Sequence, residues 1–257
     1  MKTQRKIKSN RYTNKKRPFK QYIPNHLVKS KKPGGRPSQE LLVSLLRYYN
    51  APVTMAQGEL IWKYHRLLIS HNQDNDLTRL HAFDSIVQRH YADCILVYNR
   101  IKKGIQSPLL DLGTGAGFPG ILLKIMSPSL TIILAEPRPR RVEFLRLVIQ
   151  KLNLERISIF DHRVTSKSFT LPIVSCITRA FASIEKTLPR IENAIQPGGL
   201  IYFMKGPAVK EELNLLTLSG FTLERQEYFS IPHTTQKRAV IVIKKIKPKL
   251  RISSGNN

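Results

Sequence analysis

The stretch LLDLGTGAGFPGILL, residues 109–123, decides the fold that this sequence predicts. An apolar run ends at Asp111, and glycine then occupies every second position from Gly113 to Gly117. Apolar residues resume after the proline at the density of a buried helix. A strand, a glycine-rich turn and a helix in this order predict a loop whose backbone approaches a bound ligand closely, because glycine carries no Cβ.

Outward from this loop, short apolar runs alternate with helical patterns. Strands are predicted over 108–113, 131–136, 157–161, 174–179 and 199–206, and helices over 118–127, 138–153, 183–196 and 208–219. Two strands then follow without a helix between them, FTLERQEYFS and KRAVIVIKK. The alternation predicts an α/β fold with a mostly parallel, Rossmann-like sheet of seven strands, and the final pair predicts an antiparallel hairpin at its edge.

The chain divides into four segments by composition. Residues 1–37 hold 13 Lys and Arg and no acidic residue, and we expect a disordered basic arm. Residues 38–104 show apolar residues at steps of three and four, which predicts a helical cap. Residues 105–247 form the α/β domain, and residues 248–257 are expected to be a flexible tail.

The net charge is +26, from 43 Lys and Arg against 17 Asp and Glu. Such a charge favours a polyanionic partner, and nucleic acid is the expected one. The two cysteines, Cys94 and Cys176, predict no disulfide framework, and Cys176 is expected in the core. No apolar run approaches the roughly 20 residues of a membrane span, and no signal peptide is recognisable. We therefore expect a cytoplasmic protein that binds no membrane.

The glycine loop leaves two cofactor classes to compare. Gly115, Gly117 and Gly120 satisfy the G-x-G-x-x-G fingerprint of nicotinamide and flavin dinucleotides. Asp111 favours S-adenosylmethionine, since a carboxylate at the end of the strand can face an amine and a sulfonium but repels a pyrophosphate. Glu136, which ends the next strand, can accept both ribose hydroxyls, although dinucleotide enzymes use the same device. The terminal hairpin also favours the methyl donor.

Several segments together carry a family resemblance. The quoted loop, RHYADCI, RVEFLR, ITRAFASI, PGGLIYFMKG and KRAVIVIKK closely resemble the bacterial small-subunit rRNA guanine-N7 methyltransferase family, RsmG or glucose-inhibited division protein B. The resemblance runs from about residue 66 to residue 245. It implies a class I S-adenosylmethionine-dependent methyltransferase fold and methylation of a guanine N7 in the 530 loop of 16S rRNA in the small ribosomal subunit. We expect a monomer that needs no metal.

The resemblance also implies roles for individual residues. Gly113 and Phe118 match cofactor contacts, Val164 and Thr165 match the pair beside the adenine, and Arg179 matches an arginine that lines the cofactor site. The complete predicted cofactor set is Asp111, Gly113, Gly115, Gly117, Phe118, Glu136, Val164, Thr165 and Arg179. Arg163, Arg179 and Arg238 are predicted to position the reacting groups. The predicted RNA contacts are Arg89, His90, Arg140, Arg141, Lys205 and Lys237, and Asp93 completes an R-H-x-x-D helix that packs over the site.

Guanine N7 carries a free lone pair and needs no deprotonation before it attacks a methyl group. Such an enzyme requires neither a general base nor a cysteine nucleophile, and catalysis should consist of alignment and local electrostatics. Two other functions remain open from the residues alone. They are a nicotinamide-dependent oxidoreductase and an rRNA-binding ribosome assembly protein without catalytic activity.

Overall fold

The computed structural model describes residues 31–169 and 172–246. The predicted arm lies outside these ranges up to residue 30, and the predicted tail of 248–257 lies outside them entirely. No helix within the described ranges combines the length and the apolar character that crossing a bilayer requires.

The first half of the described chain is helical, as the sequence predicts. Its helices are α1 (Gln39–Tyr48), α2 (Met55–Asn75), α3 (Phe83–Ile86) and α4 (Asp93–Ile101). Ser38 caps α1 by accepting from the backbone N–H of Leu41, and Thr54 and Gln57 form a capping box at the start of α2. A π-helical turn, Val87–Ala92, joins α3 to α4. Such turns occur frequently at functional sites.

The second half forms the predicted α/β domain. Its elements are β1 (Leu109–Leu112), α5 (Gly120–Met126), β2 (Ile132–Ala135), α6 (Pro139–Lys151), β3 (Ile157–Phe160), β4 (Ile173–Arg179), α7 (Ile184–Ile191), β5 (Ile195–Lys205), α8 (Val209–Asn214), β6 (Phe221–Ser230) and β7 (Lys237–Lys245). The seven strands form one sheet in the order β3-β2-β1-β4-β5-β7-β6. All neighbours are parallel except β5 with β7 and β6 with β7, so the predicted hairpin is confirmed.

Two predicted helices are shorter than expected. The helix predicted over 183–196 ends at Ile191, and β5 begins at Ile195 instead of residue 199. Ile195 pairs with Ile173, and the register then shifts before Ser175 pairs with Leu200, so this short pairing extends the strand across an irregularity. The helix predicted over 208–219 ends at Asn214, ahead of a stretch that leads to Gly220 with a positive φ of 73°.

The core lies on both faces of the sheet because strand residues alternate in direction. Leu109 and Tyr202 belong to the cluster that packs under α1 to α6, whereas their chain neighbours Leu110 and Phe203 belong to the cluster under α7 and α8. The N-terminal helices therefore share one continuous core with the sheet. Both cysteines are fully buried, as expected for Cys176.

The strand order reverses between β1 and β4. Open α/β sheets bind ligands at this switch point, outside the carboxyl ends of the strands. Here the loop after β1, the end of β2 and the end of β4 meet at that edge, which places Asp111, Glu136 and Arg179 beside one another in the fold.

Candidate active site

The glycine loop is shaped by its own backbone. Gly113 and Gly115 have φ values of 73° and 61°, in the left-handed region that suits glycine. The backbone N–H groups of Gly113 and Thr114 both donate to the carbonyl of Ala135 at the end of β2, at 3.0 and 3.1 Å. A Cβ added to Gly115 would meet a single neighbour, Arg141 Nη1 at 3.6 Å, so this side of the loop is open to a ligand.

Asp111 is fully buried and holds the loop from below. Its Oδ2 accepts from Thr114 Oγ1 at 2.5 Å and from the backbone N–H of Gly120 at 2.7 Å. Its Oδ1 has no hydrogen-bond partner within the described ranges. Burial raises the pKa of Asp111 to about 6, against the bonds from Thr114 and Gly120, which lower it. One oxygen thus stabilises the turn, and the other is a buried acceptor without a partner within the described ranges.

Glu136 closes the opposite side of the loop and is only 4% exposed. Its Oε2 accepts from the backbone N–H of Gly115 at 3.1 Å, and its Oε1 accepts from that of Arg138 at 3.0 Å. Each carboxylate oxygen can accept a second hydrogen bond. Asp111 and the open face of Gly115 suit S-adenosylmethionine, which presents an ammonium donor, better than a pyrophosphate, which a carboxylate at Asp111 would repel. Glu136 suits the ribose hydroxyls of either cofactor.

Phe118, Arg179 and His90 form a stack at the far end of the loop. The ring of His90 lies 4.5 Å from that of Phe118 at an interplanar angle of 28°, and the guanidinium of Arg179 lies 5.0 Å from the Phe118 centroid. Arg179 Nη1 is 3.3 Å from His90 Nδ1 and can only donate, so Nδ1 is the acceptor. His90 Nε2 therefore carries the hydrogen and donates to Thr78 Oγ1 at 2.8 Å.

These surroundings keep His90 neutral at physiological pH. Burial, and secondarily the charge of Arg179, lower the pKa of His90 to about 3. Both ring nitrogens are bonded to protein groups. The side chain therefore orients Arg179 and Phe118 in this structure, and the predicted contact of His90 with RNA stays a prediction.

Asp93, at the start of α4, binds two of the predicted arginines. Arg238 donates from Nε to Asp93 Oδ1 at 2.7 Å and from Nη2 to Oδ2 at 2.6 Å. Arg179 Nη1 lies 3.8 Å from the same Oδ2. Asp93 is 1% exposed, so this carboxylate is a buried counter-ion for two guanidinium groups.

A cleft of about 350 Å³ opens beside this cluster. It is lined by Arg89, Asp93, Gly206, Pro207, Gln236, Lys237 and Arg238. With the Gln236 amide turned to satisfy both groups, its Oε1 accepts from Arg89 Nε at 2.7 Å and from Nη2 at 3.2 Å. Three of the predicted basic residues thus converge on one concave surface that is suited to an anionic ligand.

The remaining predicted residues are more dispersed. Arg140 and Arg141 on α6 donate to the carbonyls of Asp74, in the last turn of α2, and of Asp76, its C-cap. Lys205 donates to the carbonyl of Ala182 and to Glu212. In the segment after β3, Val164 is buried among the residues below the sheet, and Arg163 and Thr165 are exposed. These positions are compatible with their predicted roles but do not test them.

Sequence reasoning missed several members of the site. Thr78, Thr114 and Gln236 each hold a predicted residue in place. Phe181 covers Gly113 so closely that an added Cβ would lie 2.5 Å from its ring. No local pattern identifies these contacts, since most of them join distant parts of the chain. Thr114 is the exception, because it stands inside the glycine motif.

The fold and the acid-lined glycine loop define a class I S-adenosylmethionine-dependent methyltransferase. Residues 57–242 match the family model for rRNA small subunit methyltransferase G. The chain belongs to this family, which confirms the predicted resemblance and favours methyl transfer over the oxidoreductase and assembly-protein alternatives. Within the described ranges, no group of three or more His, Cys, Asp or Glu residues could hold a metal ion.

Curated relatives carry the same family name. The chain is 37% identical over 219 residues to Ribosomal RNA small subunit methyltransferase G 2 of Syntrophobacter fumaroxidans, covering 84% of this chain but 43% of that protein. It is 35% identical over 198 residues to the protein of the same name from Bdellovibrio bacteriovorus, covering 76% of each. A solved structure of a MtNAS mutant shares the fold, with a TM-score of 0.50 and 16% identity over 81% of this chain and 76% of that one.

Proposed function

We propose that this chain transfers a methyl group from S-adenosylmethionine to N7 of a guanine in the 530 loop of 16S rRNA. The observation that carries the proposal is the match of residues 57–242 to the family of rRNA small subunit methyltransferase G, on a chain whose glycine loop is closed by two buried acids. The relatives are named as methyltransferases of small-subunit rRNA. We expect the enzyme to act as a monomer in the cytoplasm, where ribosomal subunits are assembled.

The cofactor supplies an electrophilic methyl group when it is bound. Asp111 Oδ1 and the oxygens of Glu136 would accept from its ammonium and hydroxyl groups, and the open face of Gly115 would admit it. Phe118, Val164 and Thr165 would surround the nucleoside. Arg179, which the carbonyl of Arg89 and the ring of His90 hold in place, would face the bound cofactor.

No general base is required, because guanine N7 attacks with its own lone pair. The neutral His90 and the buried thiols agree with this chemistry, since the pKa of Cys94 is raised to about 12 by burial. What the protein must provide is alignment, which can contribute on the order of several kcal/mol to the rate. Arg163, Arg179 and Arg238 are the residues that we propose for this task.

RNA would enter through the basic cleft. Arg89, Lys237 and Arg238 line it, and such groups bind phosphates and fix the register of the strand. Arginine also forms hydrogen bonds with guanine or stacks on an unpaired base. Arg140, Arg141 and Lys205 would extend the contact over neighbouring phosphates.

Transfer of a labelled methyl group tests the proposal. The purified protein, labelled S-adenosylmethionine and 30S subunits from cells that lack the enzyme should yield labelled 16S rRNA, and cleavage specific for N7-methylguanine should stop primer extension in the 530 loop. An absorbance change with NADH and no methyl transfer would favour the oxidoreductase. Binding to 16S rRNA without methyl transfer would favour the assembly protein.

A Gly113→Arg variant separates catalysis from RNA binding. A side chain at Gly113 would collide with Phe181, so cofactor binding should be lost while the basic cleft is preserved. The variant should bind 16S rRNA and transfer no methyl group. If methyl transfer in vitro is retained at the wild-type rate, the assignment of the glycine loop is wrong.

A further inference from the structure

We propose that Asp93 is a positioning residue that sets two arginines at once, Arg179 toward the cofactor loop and Arg238 toward the RNA cleft. The inference rests on the proposed function and deepens it. It starts from three residues that lie on separate elements, at the start of α4, the end of β4 and the start of β7.

The contacts of Asp93 are directional. Arg238 binds both carboxylate oxygens through two parallel N–H donors, a bidentate geometry that fixes the plane of the guanidinium. Arg179 Nη1 lies 3.8 Å from Oδ2. The side chains are 2% exposed for Asp93, 14% for Arg179 and 24% for Arg238, so water competes little for these contacts.

Each arginine faces a different ligand. Arg179 lies over the ring of Phe118 in the glycine loop, whereas Arg238 lines the cleft with Arg89 and Lys237. Asp93 is the neighbour that they share. Its carboxylate thus sets the distance between the group that faces the cofactor and the group that faces the RNA, and methyl transfer depends on that distance because displacements near 1 Å cost rate.

The π-helical turn places Asp93 for this task. It spans Val87–Ala92 and ends directly before Asp93, so it sets the rotation at which α4 begins. His90 and Asp93 then both face Arg179, the former through Nδ1 at 3.3 Å. A π-helical turn holds one more residue per hydrogen-bonded turn than an α-helix does. An uninterrupted α-helix would therefore present Asp93 at a different rotation relative to His90.

A role in positioning and a role in charge compensation predict changes in different quantities for Asp93→Asn. Removal of one negative charge adds to the positive charge of the cleft, so charge alone predicts tighter binding of RNA. Positioning predicts instead that kcat, measured at saturating 30S subunits and S-adenosylmethionine, falls on the order of tenfold or more. The affinity for S-adenosylhomocysteine should fall by about threefold or more, through Arg179.

A double-mutant cycle with Arg238→Gln tests how much of the effect of Asp93 on kcat passes through Arg238. If Asp93 acts through both arginines, Asp93→Asn should lower kcat less in the Arg238→Gln background than in the wild type, and the loss that remains is the part carried by Arg179. Independent, multiplicative effects would overturn the proposal, and so would a wild-type kcat with tighter RNA binding. Glu227→Gln, which removes the more exposed charge partner of Arg100 on α4, is the control for loss of a carboxylate beside α4 and should retain the wild-type kcat.

Asp93→Glu keeps the experiment decisive if the asparagine variant does not fold. It retains the charge and moves the carboxylate by one methylene, so positioning predicts a lower kcat and charge alone predicts the wild-type kcat. A wild-type kcat for this variant would overturn the proposal. The wild-type protein separates the two levels of inference, because failure of the proposed function would leave it without methyl transfer, whereas failure of the present proposal leaves it active.

Discussion

Asp111 combines a structural and a binding role within one carboxyl group. One oxygen accepts two hydrogen bonds from the loop, and the other is buried without a partner within the described ranges. An unpaired buried acceptor costs stability, and burial accordingly raises the pKa of this group to about 6. The unpaired oxygen of Asp111 therefore lowers the stability of the folded protein.

The first prediction concerns Asp111→Asn. The amide oxygen can replace Oδ2, and the amide nitrogen removes the buried charge, so at pH 7 the free energy of unfolding should be retained or rise, by at most about 3 kcal/mol. Because the folded pKa of Asp111 is raised, its penalty grows from pH 4 to pH 6, and the variant should lose that dependence. Urea unfolding at several pH values measures this. Calorimetry should find weaker binding of S-adenosylhomocysteine, and unchanged binding would contradict the assigned role.

The second prediction concerns two histidines whose pKa values are lowered by burial, His65 to about 4 and His90 to about 3. The unfolded chain binds protons at these residues below about pH 6.5, whereas the folded protein does not. Stability should therefore fall from pH 6.5 toward pH 4, by up to about 1.4 kcal/mol per pH unit for each histidine. His90→Asn should reduce the dependence of the free energy of unfolding on pH, measured by chemical unfolding. An unchanged dependence would show that the pKa of His90 is not lowered in the folded protein.

At the scale of elements, the sequence predicts the strands more accurately than the segments that connect them. Apolar runs such as TIILAE and AVIVI lie in buried strands, so their β-branched residues and length identify them. The early start of β5 depends on one pairing between Ile195 and Ile173, and the π-helical turn Val87–Ala92 buries Val87, Tyr91 and Ala92 in the core. Neither has a local signature, because tertiary contacts determine both.

The third prediction is that the start of α2 affects stability but not the binding of the cofactor near its other end. Thr54→Ala breaks the capping box with Gln57 and should lower the free energy of unfolding by about 1 kcal/mol. The helix has 21 residues and is therefore about 30 Å long, and it is its far end that Arg140 and Arg141 contact near the glycine loop. Affinity for S-adenosylhomocysteine should be unchanged. Thr54→Ser, which keeps the hydroxyl, is the control and should retain most of the stability.

At the scale of the molecule, the sequence predicts where the strand-end residues lie but not which distant residues contact each other. Asp111, Glu136 and Arg179 were expected at the strand ends, and the parallel sheet places them there. The bond between Asp93 and Arg238 joins residues 145 positions apart, and no spacing rule reaches that far. Composition predicts the sign of the partner's charge, whereas the cleft that would bind the partner forms only in the folded chain.

The fourth prediction follows from the distribution of charge. Residues 1–37 carry 13 of the 43 basic residues, and a chain without them retains a net charge of +13. Deleting these residues should weaken the binding of 16S rRNA and reduce the slope of log K against log salt, because fewer counterions are released. Affinity for S-adenosylhomocysteine should not change. Filter binding across a salt series measures the slope, and an unaltered slope would exclude the arm from the interface.

The backbone N–H groups of Gly115 and Gly120 donate to Glu136 and Asp111, so both carboxylates are fixed by the fold of the loop itself. The cradle is consequently preorganised, and an incoming nucleoside sacrifices little configurational entropy in the protein. Exchange of spent donor for fresh donor would then require no refolding of the loop.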